Sequence, residues 1–118
     1  MDERDVIDRA VLDSLLDSVG GDREFLVELL QVYFDDAPRL LASMRTALAA
    51  GSAEEFRRAA HSLKSNSASF GAMSLSRLSK GLEEMGKAGT LDGVAASLAQ
   101  AEQEYARVRT ALEAAAAG

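Results

Sequence analysis

Apolar residues recur along this chain every three or four positions, and nowhere in the strict alternation of a half-buried strand. β-Branched residues are few, while alanine and leucine, both good helix formers, dominate. A first helix is predicted from about Asp5 to Val19, with Ile7, Val11 or Leu12, Leu15, Leu16 and Val19 on one face. Gly20-Gly21 is its stop. Asp22 is placed to cap a second helix over 22–50, whose stripe is Phe25, Leu26, Leu29, Leu30, Tyr33 and Phe34, resuming at Leu41, Met44 and Leu48. Pro38 interrupts that stripe, so the expectation is one long helix kinked there or two helices joined end to end, closed by Gly51.

Ser52-Ala53-Glu54-Glu55 reads as a capping box, serine at the cap and glutamate three places on, opening a third helix over 53–70 that Gly71 ends. Ser74 can start a fourth over 74–86, with Leu75, Leu78, Leu82 and Met85 at a/d spacing and with Gly86 and Gly89 read as its end. The last, over 92–114, carries the seam Val94, Leu98, Ala101, Tyr105, Val108 and Leu112, and the closing AAAAG is expected to fray. Short connections make consecutive helices antiparallel. The expected fold is all-α: an antiparallel up-and-down four-helix bundle with an additional short N-terminal helix covering one end. With no repeat and no long linker, 1–118 reads as a single domain.

Composition narrows the function classes. A chain of 118 residues can bury one core. The net charge of −6 and pI of about 4.7 argue against nucleic acid as a partner, since phosphate backbones attract basic surfaces. The absence of cysteine removes disulfides and thiolate metal sites. No apolar run approaches the roughly 18 residues of a membrane span, and the charged start MDERDVIDRA lacks the apolar core of a signal peptide. A cytoplasmic protein with no membrane contact is expected. Met1 hints at a free-standing protein, and an excised piece of a larger sensor kinase stays equally open.

The chain has one histidine, in AAHSLKSNSASFGA. With 100° per residue and Leu63 at the centre of the buried face, Phe56, Ala59, Ser67 and Phe70 fall within about 40° of it, while His61 falls roughly 160° away. The imidazole is expected to face solvent. Its neighbours at i±3 and i±4 are Arg57, Arg58, Lys64 and Ser65, with Ala68 a turn further. Cations therefore collect around it in an acidic protein, and the positions C-terminal to it, Ser65 and Ala68, are small enough to admit a bulky partner. One histidine without cysteine does not make a zinc site. Neither an oxyanion loop nor a concave pocket for acid–base chemistry is expected on a convex bundle face. Attack on phosphorus fits: a neutral imidazole has a lone pair, and Lys64 and the arginines can neutralise the phosphoryl gained. By position alone, an exposed helical histidine is more often a solvated surface group.

His61-Ser62-Leu63-Lys64, Ser65-Asn66-Ser67-Ala68 and Gly71-Ala72 together resemble the signature of histidine-containing phosphotransfer domains of two-component phosphorelays. Leu82-Glu83, Gly86 and the upstream Phe25…Leu29-Leu30…Phe34…Pro38 pattern extend the resemblance. It implies a phosphorelay intermediate in which His61 takes a phosphoryl group from a receiver-domain aspartate and passes it to another receiver. Lys64 balances the phosphoryl charge. Glu83 is a possible orienter of the imidazole through its other nitrogen; as a residue, it reads equally as a solvated carboxylate. The chain binds no cofactor, and Mg²⁺ is expected on the partner receiver. Partners are receiver domains of response regulators, a hybrid sensor histidine kinase, or both, met by a monomer through Arg57, Arg58, Ser65 and Ala68. Many members carry glycine where this chain has Ser65, the next smallest polar choice and able to bond a phosphoryl oxygen. With no room for an ATP-binding domain and no glycine-rich nucleotide motif, the chain is read as a carrier without kinase activity of its own. The alternative is a helical adaptor that binds a receiver or other signalling partner independently of phosphorylation.

Overall fold

A computed structural model of the chain describes residues 6–117, and among them five helices of ten residues or more follow one another. They are α1 (Arg9–Ser18), α2 (Arg23–Ala50), α3 (Ala53–Ser69), α4 (Met73–Lys87) and α5 (Val94–Ala117). The expected helix start at Asp5 lies outside the described residues. Caps fix three of the beginnings: Asp8, Asp22 and Ser52 each accept a backbone N–H of the first turn, from Ala10, Phe25 and Glu55. At 1.5 Å per residue the 28 residues of α2 span about 42 Å. That matches the molecule's longest dimension of 44 Å, so α2 is its spine.

α2 runs unbroken through Pro38, one helix and not two joined end to end. Proline has no N–H to give the carbonyl four residues back, that of Phe34. The Tyr105 hydroxyl of α5 reaches that carbonyl instead, at 3.4 Å. A buried acceptor orphaned by the proline is thus met from a neighbouring helix.

α2 packs on α3, α3 on α4, α4 on α5, and α5 returns to α2, closing a four-helix ring. Cross-helix pairs run in opposite order along facing helices, as in Tyr33 with Ser67 and Ser62 lining one cleft with Ser43. α1 touches α2 and α3 at one end. Its anchor is a backbone bond from Asp8 N–H to the Gly71 carbonyl at 2.7 Å. Gly71 has φ +79°, and a Cβ there would fall 2.5 Å from the Asp8 carbonyl oxygen. Only glycine suits that turn.

The core is continuous and includes Phe56, Leu63, Leu75, Leu82, Leu98 and Leu112. Several details depart from the periodic expectation. Phe25 is 44% exposed although the stripe put it inside. α4 begins at Met73 with Ala72 at its cap and no capping side chain, not at Ser74. It also runs past Gly86 to Lys87, and its inner face takes Ser79 where Leu78 was expected and buries Gly86 beside Met85, which is partly buried against the core. α5 begins at Val94, not Asp92, and continues through Ala117 instead of fraying, because Ala111, Leu112 and Ala115 bury there. The last residue, Gly118, lies outside the described residues. No helix among the described residues is long and apolar enough to cross a membrane.

Candidate functional site

α3 turns Phe56, Ala59, Ala60, Leu63 and Ser67 inward, which leaves His61 on the opposite side. The imidazole side chain is 54% exposed. The inward face is fixed by core packing and by a buried bond between the Tyr33 hydroxyl and Ser67 Oγ, 2.9 Å. Burial pushes the Tyr33 phenol well above its ordinary range. The helix therefore cannot rotate His61 away from solvent without breaking its core contacts.

The neighbouring helix α4 delivers the decisive contact. Glu83 Oε2 lies 2.6 Å from His61 Nδ1, and Glu83 Oε1 accepts from Lys64 Nζ at 2.7 Å. The Glu83 side chain is only 16% exposed, so it is not a solvated carboxylate. The Lys64 hydrogen bond holds the Glu83 carboxyl below the usual carboxylate range; burial pushes it up, and the bond from His61 lowers it further. An ionised carboxylate only accepts, so Nδ1 carries the proton of this contact. In the neutral ring the lone pair is then on Nε2, which has no partner among the described residues. The arrangement is a nucleophilic nitrogen facing solvent on a ring held from behind.

The basic collar is less free than its spacing suggests. Arg57 is half-buried and makes two bonds to Glu54, at 2.6 and 3.0 Å; the exposed Arg58 makes one to the same carboxylate, at 3.3 Å. Chiefly through the Arg57 bond, these guanidinium groups bring the Glu54 carboxyl down to about 2. Glu54 was legible only as part of the capping box, yet its i+3 and i+4 spacing to the arginines is itself a pairing signal. Ser65 is exposed and Ala68 half-buried, and both lie on the His61 side of α3. The face is not wholly convex. A cleft of about 570 Å³ runs between α2 and α3, lined by Leu40, Ser43, Arg58 and Ser62 among others. His61 lies outside that lining.

Among the described residues no group of three or more histidine, aspartate or glutamate side chains could hold a metal ion. Around His61 the face offers a bare nitrogen, a half-buried carboxylate and a lysine.

Comparison with known proteins places this geometry. Histidine-containing phosphotransfer protein 2 of Arabidopsis thaliana is 29% identical over 96 residues, which cover 79% of this chain and 62% of that protein. The chain thus spans less than two thirds of that relative's length. The crystal structure of histidine-containing phosphotransfer protein B from Pseudomonas aeruginosa PAO1 aligns with a TM-score of 0.86 at 35% identity, covering 94% of each chain. A model of the Hpt domain matches residues 28–117, a stretch that contains His61, Lys64 and Glu83, and the chain belongs to the Hpt domain family.

Proposed function

We propose that this chain is a phosphorelay intermediate whose phosphoryl carrier is His61 Nε2. The observation that carries the reading is the outward Nε2 of a ring anchored at Nδ1 by Glu83, in a member of the Hpt domain family. The Nε2 lone pair attacks the phosphorus of a receiver's aspartyl phosphate. The N–P bond forms as the P–O bond to the aspartate breaks, and the aspartate leaves as a carboxylate. The ring keeps its Nδ1 proton and becomes cationic, and the Glu83 carboxylate beside that proton stabilises the new charge. Reversal onto a second receiver's aspartate completes the relay.

Lys64 enters with one of its three N–H donors already on Glu83, leaving two for a phosphoryl oxygen. Because His61 lies mid-helix, no free backbone N–H groups can bind the phosphoryl, which is held by exposed side chains and released readily. Arg58, the more exposed of the two arginines, is the readier docking charge, and Ser65 and Ala68 leave room for the receiver's approach. The partners are receiver domains of response regulators, with a hybrid sensor kinase's receiver as one source of phosphate. Mg²⁺ belongs to the receiver, and the chain supplies no kinase activity of its own.

Labelled phosphate transferred from a panel of phosphorylated receivers tests this. Acid-labile, alkali-stable phosphate should collect on the parent protein and not on His61→Gln, which should fold alike. Equal labelling of His61→Gln would overturn the assignment. Receiver binding without any label would favour the phosphorylation-independent adaptor.

A further inference from the structure

Glycine in the middle of a helix is costly unless something requires it. α4 contains two, Gly81 and Gly86. A Cβ at Gly81 would meet nothing within 4 Å. A Cβ at Gly86 would stand 3.0 Å from N, Cα and Cβ of Arg57 on α3. Two of those three atoms are backbone, so no flexible side chain can swing away to make room. Gly86 is helical and buried, and its role is therefore clearance and not chain reversal. The inner face of α4 continues the theme with Ser79, fully buried, and Ser76, whose Oγ donates to the Lys64 carbonyl at 3.0 Å.

The register makes this clearance bear on the site. Arg57 lies about one turn before His61 on α3, and Gly86 about one turn after Glu83 on antiparallel α4. The Arg57–Gly86 approach and the His61–Glu83 contact are therefore adjacent rungs of one helix pair. We propose that Gly86 is a positioning residue: its missing side chain lets α4 close on α3 at Arg57, and that closeness sets the reach of Glu83 to His61 Nδ1. A methyl group at 86 forces the helices apart at this rung. The shift stretches the 2.6 Å contact and loosens the ring's commitment to the Nδ1–H tautomer. The inference deepens the relay reading, since it concerns the same ring, but its structural half stands without any phosphate.

His61 is the sole histidine, so ring ¹⁵N spectra report it without ambiguity. Spectra are recorded for the parent, Gly86→Ala, Gly81→Ala and Glu83→Ala at a pH where the ring is neutral. Gly86→Ala should move the Nδ1 and Nε2 shifts from the parent's towards those of Glu83→Ala, while Gly81→Ala keeps the parent's. Phosphoryl acceptance by Gly86→Ala should fall by about three-fold, a fraction of what a charge-assisted hydrogen bond contributes. It should fall no further when Gly86→Ala is added to Glu83→Ala. A folded Gly86→Ala with the parent's ring shifts overturns the proposal. Should Gly86→Ala not fold, Glu83→Asp decides: a carboxylate one methylene shorter must lose the Nδ1–H signature if helix spacing limits reach, and its retention overturns the proposal. If the parent itself takes no phosphate, the relay reading fails while the ring spectra still judge Gly86.

Discussion

Glu83 on α4 and His61 on α3 meet at 2.6 Å, and the other oxygen of the same carboxylate holds Lys64. One half-buried acid thus links the ring and the lysine through its two oxygens. It determines which ring nitrogen carries the proton and where the lysine's charge resides before any partner arrives. The ring is held by a residue 22 positions away in sequence, not by its immediate neighbours.

Removing that acid should cost rate and not fold. Glu83→Ala frees the ring to rotate and to exchange tautomers, so phosphoryl acceptance from a labelled receiver should drop by roughly ten-fold, the scale on which partners orient metal-bound imidazoles. The far-ultraviolet dichroism should be unchanged. Acceptance at the parent's rate would show that the contact does not prepare the nucleophile.

The Glu83 carboxyl should titrate below the ordinary glutamate value of about 4.3. Because its folded pKa is depressed, the stability it contributes is complete above the unfolded value and is lost as pH falls through the lower folded one. Stability from this contact should therefore be level from neutrality down to about pH 5, and decline only in stronger acid. Lys64→Ala removes the leading cause and should raise the Glu83 midpoint, read from the side-chain carboxyl ¹³C signal. An unchanged midpoint would remove Lys64 as the source of the shift.

The outward direction of His61 was legible because it follows from local phase: two residues from buried Leu63 on a helix is nearly the opposite side. Glu83 was legible as a partner only through family resemblance. Its reach depends on how α3 and α4 pack, and the buried face of α4 there includes Ser79 and Gly86, small residues that carry no periodic apolar signal. Gly86 reads locally as a stop because glycine ends helices more often than it spaces them. Phe25 illustrates the same limit: periodicity assigns it to a stripe, but does not say where the facing surface ends. The pairing of Arg57 and Arg58 with Glu54 was available from spacing, yet the cationic collar is conspicuous by charge and its counter-ion is not.

The two sides of α3 should respond oppositely to truncation. Leu63 is fully buried, and Leu63→Ala should cost about 2–5 kcal/mol in urea unfolding. His61→Gln, on the exposed side, should stay within about 0.5 kcal/mol of the parent. A large loss from His61→Gln would mean that the ring supports the fold as well as facing the partner.

Pro38 and Tyr105 should be energetically coupled although they are on different helices. The proline leaves the buried Phe34 carbonyl without its in-helix donor, and the Tyr105 hydroxyl supplies one at 3.4 Å. Tyr105→Phe deletes that donor with little change of shape, so it should destabilise the parent by about 1 kcal/mol. In a Pro38→Ala background the backbone N–H of residue 38 can close the ladder to Phe34, and that carbonyl no longer needs the hydroxyl. The cost of Tyr105→Phe should then shrink to less than half, a coupling that a double-mutant cycle in urea reads directly. Equal costs in the two backgrounds would mean that the carbonyl is satisfied without Tyr105, and that the passage of α2 through Pro38 rests on packing alone.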